Sequence, residues 1–382
     1  MNRTWKVLVV LACAACIATP AFADVKAFNA AVKAGDYKTA AAEAETTWKT
    51  WDTSSGQTAL LAREFGFAAL IAGRNDLARQ FGQFLVEKGA SLATPDDQPL
   101  TSAVLFRIAD FRIGKSDTQR SALRDALFAR SGAPGLDITA VVSWEALYVA
   151  DWNGGDWDNA AKDAAGAAEF MSRDAKNMLV RQRSAELQAA SAMFVGGRNR
   201  VTKGKNDYYD AMANVHDRIV GDIDAAAGQA ARDQLWPMKW RSEAWAIAIE
   251  SYLTSSYEQV GSNISSALNA RPLLQPKFAQ YPEDPASAQL PACGGEFEGK
   301  KLRYPENKAY KGLVGSVIVR LETGADGKVT DVEVLAAVPG EGFAAKMIET
   351  LETWTFKPNA ANAGACRLNS RNRNYKVSFR IM

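Results

Sequence analysis

Val314-Gly315-Ser316-Val317-Ile318-Val319-Arg320-Leu321, then Gly324-Ala325-Asp326-Gly327, then the run Val329 to Val334 set the fold of the C-terminal end of this chain. Both runs are rich in β-branched residues, which suit a pleated, half-buried surface. Asp-Gly between them supplies the positive φ angles of a tight turn, so the spacing predicts a β-hairpin. Downstream, Phe343, Met347, Leu351 and Trp354 recur at helical steps and predict one apolar helix face. The chain closes on Asn374-Tyr375-Lys376-Val377-Ser378-Phe379-Arg380-Ile381. There Tyr375, Val377, Phe379 and Ile381 alternate with Asn374, Lys376, Ser378 and Arg380, as a strand with one buried and one wet face requires. The order is strand, strand, helix, strand, a small α+β domain over 296–382.

An entry motif, Leu302-Arg303-Tyr304-Pro305, precedes the hairpin, and Trp354-Thr355-Phe356-Lys357-Pro358 follows the helix. With these in order, the segment resembles the C-terminal domain of TonB energy transducers. The resemblance covers about a quarter of the chain and implies a domain that meets outer-membrane receptors in the periplasm. It also implies that the last strand, Asn374, Tyr375, Lys376, Val377, Ser378, Phe379 and Arg380, binds a receptor or other envelope-protein peptide by strand addition. The alternative is that a second copy, as a homodimer through this strand, or the helical part of the chain occupies the edge.

Working back from that domain, residues 24–270 are alanine-rich and poor in β-branched runs. Gly35, Gly73, Gly114, Gly155 and Gly197 are spaced by 38, 41, 41 and 42 residues. Each glycine suits a helix C-cap, and the Asp or Asn beyond it suits the next N-cap. A helix, turn and helix every forty or so residues predicts an all-α solenoid of helical hairpins. The turns Gly35-Asp36-Tyr37 and Gly155-Asp156-Trp157 resemble tetratricopeptide repeats, although the period exceeds the usual ~34 residues. Leu61, Phe65 and Ala68-Ala69 form one apolar stripe; Trp240, Ala244, Ile247-Ala248 and Tyr252 form another. Trp144, Trp152, Trp157 and Trp245 read as core. A protein could dock on this helical surface. Between the two parts, 271–295 reads as a linker: Pro272, Pro276, Pro282, Pro285 and Pro291 favour extended chain, with a reach of about 65 Å over 271–291.

Met1 to Ala23 reads as a secretory signal. Arg3 and Lys6 precede the apolar stretch Val7 to Ala18, and Ala21-Phe22-Ala23 fits a cleavage site before Asp24. The expected compartment is therefore the periplasm; the alternative is an inner-membrane anchor facing it. The remainder carries 43 basic and 43 acidic residues, which argues against nucleic acid as a partner. Arg367, Arg371, Arg373, Lys376 and Arg380 nonetheless follow one another without an acid between them. Such a run either guards an edge strand from self-association or steers an acidic peptide. Beyond the signal the cysteines are Cys293 and Cys366, and an oxidising compartment favours their pairing as a disulfide.

No catalytic signature stands out. His216 is the only histidine and reads as structural or solvated. Zinc then lacks ligands, and neither a nucleophile elbow nor a phosphate loop is present; the basic stretch 198–207 lacks the glycine spacing of one. The expectation is a binding protein with no cofactor and no metal, either an energy transducer or an envelope scaffold without energy coupling.

Overall fold

The computed structural model describes residues 25–54, 57–92, 99–198, 207–258, 271–277, 291–302, 314–359 and 366–379. Met1 to Ala23, the motif residues Arg303, Tyr304 and Pro305, most of the basic stretch 198–207, and Arg380 and Ile381 lie outside them. The chain divides into two compact units. One holds the residues up to Asn153 together with Glu169–Asp174; the other holds Gly154–Ala168 and everything from Ala175 onward.

The first unit is built from α1 (Lys26–Lys33), α2 (Tyr37–Thr50), α3 (Thr58–Ile71), α4 (Asn75–Lys88), α5 (Pro99–Gly114), α6 (Asp117–Ser131) and α7 (Ile138–Gly154). Helices α1 with α2, α3 with α4, and α5 with α6 pack as hairpins. Gly35 and Gly73 adopt φ of 72° and 77°, as their place after a helix requires. The Asp36 side chain caps α2 by accepting from the Thr39 N–H at 3.1 Å. At the third turn the reading shifts by one residue. Lys115, not Gly114, takes the positive φ; Ser116 and Gln119 form a reciprocal capping box, and Gly114 leaves room for the Gln119 side chain, which a Cβ there would meet.

Phe28, Phe65 and Phe81 are buried and meet edge to face with Trp48 to form the first core. The α3 stripe uses Ala62, Phe65, Ala68 and Ala69, with Leu61 only half buried. Gly82 lets α4 and α5 touch backbone to backbone, since a Cβ there would lie 2.6 Å from Phe106 Cα. Further along, Asp151 is fully buried and held by Arg124 at 2.6 Å and Arg120 at 3.0 Å. Trp144 is in the core as read, whereas Trp152 is half buried.

Helix α8 (Trp157–Met171) follows the turn at Gly155, whose φ is 77°. The second unit continues with α9 (Ala175–Gly197), α10 (Asp207–Ala225) and α11 (Gln229–Glu258). Arg271 to Lys277, the start of the stretch read as a linker, is strapped along α10. Arg271 reaches Asp210 at 3.3 Å and Asp217 at 3.4 Å, and the Lys277 N–H donates to Asp224 at 3.0 Å.

The C-terminal domain contains β1 (Gly295–Glu298), β2 (Gly315–Thr323), β3 (Val329–Val338), α12 (Ala345–Leu351), β4 (Thr355–Pro358) and β5 (Ser370–Phe379). All strand pairs are antiparallel. The hairpin forms where Asp-Gly placed it: Gly327 has φ 79° and its N–H donates to Gly324 O at 3.0 Å. The sequence motif read as an exit, Thr355 to Pro358, is itself a strand that pairs with β1 in a second, two-stranded sheet. Phe343, Met347, Leu351 and Trp354 do share one cluster, with Val317, Val319 and Leu321 of β2; Phe343 and Trp354 flank the helix proper. Cys293 and Cys366 are joined by a disulfide that ties the entry of the domain to the start of β5.

Candidate binding edge

Strand β5 lies at one side of the three-stranded sheet, in the order β3-β2-β5. Its register against β2 sets Val377 opposite Val317, Lys376 opposite Ile318 and Tyr375 opposite Val319. Tyr375 and Val377 are partly buried against the β2–α12 cluster, while Asn374, Lys376 and Ser378 are exposed. The Tyr375 ring meets Phe297 at 6.0 Å and Trp354 at 5.1 Å, and burial raises its hydroxyl pKa. The alternation read from 374–378 is thus the one the fold uses. Phe379 closes the strand and Arg380 lies beyond the described residues.

Both faces of the sheet are covered. The Val317, Val319 and Leu321 side packs under α12. Alternation turns Ser316 and Ile318, both fully buried, to the other side. That side meets α11, which packs against β2, β3 and β5. The start of β3 is joined to β4, through Val329 N–H to Trp354 O at 3.0 Å and Phe356 N–H to Gly327 O at 2.7 Å. Among the described residues, no strand pairs with β5 on the side away from β2.

The basic run is spent mostly within the fold. Arg371 pairs with Glu322 of β2 at 3.4 Å. Arg373 donates to Cys293 O at 2.7 Å, Leu368 O at 3.0 Å and Thr323 Oγ1 at 3.0 Å, and lies 3.5 Å over the Phe356 ring. Arg367 donates to Asn369 O at 2.7 Å. Lys376 forms an ion pair with Glu243 of α11. Most of this charge is therefore taken up by contacts within the chain.

Glu243 is buried and also takes a 2.5 Å ion pair from Lys239, buried one helical turn away. Burial alone would raise the Glu243 carboxyl, but the ammonium groups of Lys239 and Lys376 outweigh it and hold it below the usual carboxylate range. Beside this pair, buried His216 bridges Ser242 of α11 through Nδ1 and Leu274 O through Nε2, each at 2.9 Å. Burial pushes its imidazole below the ordinary value. Lys239, Glu243 and Ser242 were missed by sequence reasoning, which treats charges on a helix as solvated. The available signal was composition: apolar residues from Leu235 to Ile249 stand on every side of the helix, and in the structure only Pro237 and Arg241 of that stretch are exposed.

Among the described residues, no group of three or more His, Cys, Asp and Glu side chains is placed to hold a metal ion. No described helix is long and apolar enough to cross a membrane.

Residues 300–380 match the family model of the Gram-negative bacterial TonB protein C-terminal, so this segment is a domain of that type preceded by a helical region. No curated protein and no solved structure matches the chain.

Proposed function

We propose that this chain is a periplasmic TonB-like binding protein, in which β5 takes a segment of an outer-membrane receptor or another envelope protein as an added strand. The family match supports a role in the cell envelope, and transport through TonB-dependent receptors is the process it would serve. One observation carries the choice of β5. Among the described residues β5 is an edge strand paired with β2 alone, its inner face is seated by Tyr375 and Val377, and its outer side would offer backbone able to pair; the other edge, β3, is joined to β4 only at its start. The segment Asn374 to Arg380 would supply the ladder, and recognition would rest on main-chain hydrogen bonds. No chemical step is assigned to the chain.

Titration of the purified protein with synthetic periplasm-facing segments of outer-membrane receptors tests this reading. Saturable binding that survives high salt supports it. Binding that persists unchanged when the β5 backbone is blocked by proline overturns it.

A second reading, an envelope scaffold without energy coupling, is favoured by one feature. The sheet is docked on α11 of the helical region, where a transducer that must reach across the periplasm would hold it on a long tether. In that reading the tetratricopeptide-like helices bind a second protein. The exported state rests on the signal-like start, and N-terminal sequencing of the native protein should return Asp24. Retention of Met1 to Ala23 in the inner membrane would favour the transducer.

A further inference from the structure

Lys239 and Glu243 sit four residues apart on α11, both buried, and together they are neutral. Lys239 also lies 3.6 Å over the Trp240 ring and reaches Gln275 Oε1 at 3.4 Å. A buried carboxylate needs a counter-charge, and Lys239 supplies it from within the same helix. The second ammonium on Glu243, from the half-exposed Lys376, is therefore not needed for neutrality. What it adds is a tie between the middle of β5 and α11. Arg371 and Arg373 bond to Glu322, Thr323, Leu368 and Cys293, all within the C-terminal domain; Lys376 reaches out of that domain. An edge strand with one neighbour frays more readily than a central one, because half of its backbone ladder is missing.

We propose that Glu243 is a positioning residue for β5, holding Lys376 so that the backbone edge is formed before a partner strand arrives. The functional meaning rests on the strand-addition reading; the positioning itself does not. Helix α11 thereby becomes the element through which the helical region and the strand sense one another, since a fixed strand and a docked α11 stabilise each other reciprocally.

Amide hydrogen exchange of the full chain tests the proposal without any ligand. Lys376→Met leaves the neutral Lys239–Glu243 pair in place, and should speed exchange at residues 374–378 by roughly three- to tenfold. Lys376→Arg, which keeps the charge, should restore slow exchange. The double variant Lys239→Met with Glu243→Leu removes the acceptor without stranding a buried charge, and should match Lys376→Met at β5. Unchanged exchange at 374–378 in Lys376→Met overturns the proposal, as does acceleration spread evenly over α9, α10 and α11, which would mark a general stability effect. Failure of the wild-type chain to bind any receptor segment would instead sink the strand-addition reading, so the two ideas fall separately.

Discussion

Lys376 of β5 and Glu243 of α11 lie 133 residues apart in sequence and form an ion pair. The pair marks where the C-terminal sheet rests on the last long helix of the helical region. The segment 300–380 thus has one sheet face covered by its own α12 and the other by a helix outside the family match.

A fragment limited to 291–382 should expose the α11-facing side of β2, including Ile318. It should melt lower than the fragment 175–382, bind a hydrophobic dye and self-associate. Thermal melts and light scattering check this. Equal melting of the two fragments would show that α11 contributes nothing to the domain.

Proline scanning should locate the open edge. Successive residues of β5 point their N–H groups alternately toward β2 and away from it. Proline at Val377 and at Ser378 therefore tests the two directions. One variant should lose pairing with β2 and unfold the strand; the other should keep the sheet, by circular dichroism, and abolish peptide binding. Full affinity in a folded variant at both positions would exclude β5.

Loss of the cross-link should weaken the second unit. The bond between Cys293 and Cys366 closes a sequence separation of 73 residues. Cys366→Ser should cost roughly 2–4 kcal/mol by restoring freedom to the unfolded chain. A melt should show a lowered transition for the second unit and an unchanged one for α1 to α7. Non-reducing peptide mapping of exported protein should recover the linked pair.

His216 should make the second unit acid-sensitive. Burial places its folded-state pKa below the ordinary 6.5, although Leu274 O, Glu243 and Asp217 favour the charged form. The unfolded chain then binds a proton that the folded chain resists. The stabilising contribution is complete above about pH 6.5 and is lost as pH falls from there through the folded pKa. The loss reaches at most about 1.4 kcal/mol per pH unit. Denaturant titrations at several pH values should show this slope, and His216→Asn should flatten it. An identical pH profile in the variant would remove His216 as its source.

Much of the local structure was legible because its causes are local. Asp326-Gly327 turned the chain where a positive φ was required, and Gly35, Gly73 and Gly155 did the same between helices. The period of two in 374–378 fixed which side chains of β5 face the core. Pairing of Cys293 with Cys366 followed from having two cysteines beyond the signal-like start.

What the tertiary structure decided concerns which faces meet. Trp240, Ala244, Ile247-Ala248 and Tyr252 read as one apolar stripe, yet the helix that carries them packs against both helices and sheet. Nothing in the sequence singles out Lys239 and Glu243, and only packing makes them a buried pair with a third charge reaching in from β5. Arg271 to Lys277 looked like extended linker, until α10 supplied the acids that Arg271 and the Lys277 N–H needed. A turn or a strand alternation is written in neighbouring residues, because sterics and pleat act over a few bonds. A docked helix depends on the match of two surfaces brought together from distant sequence, and that match exists only in the folded chain.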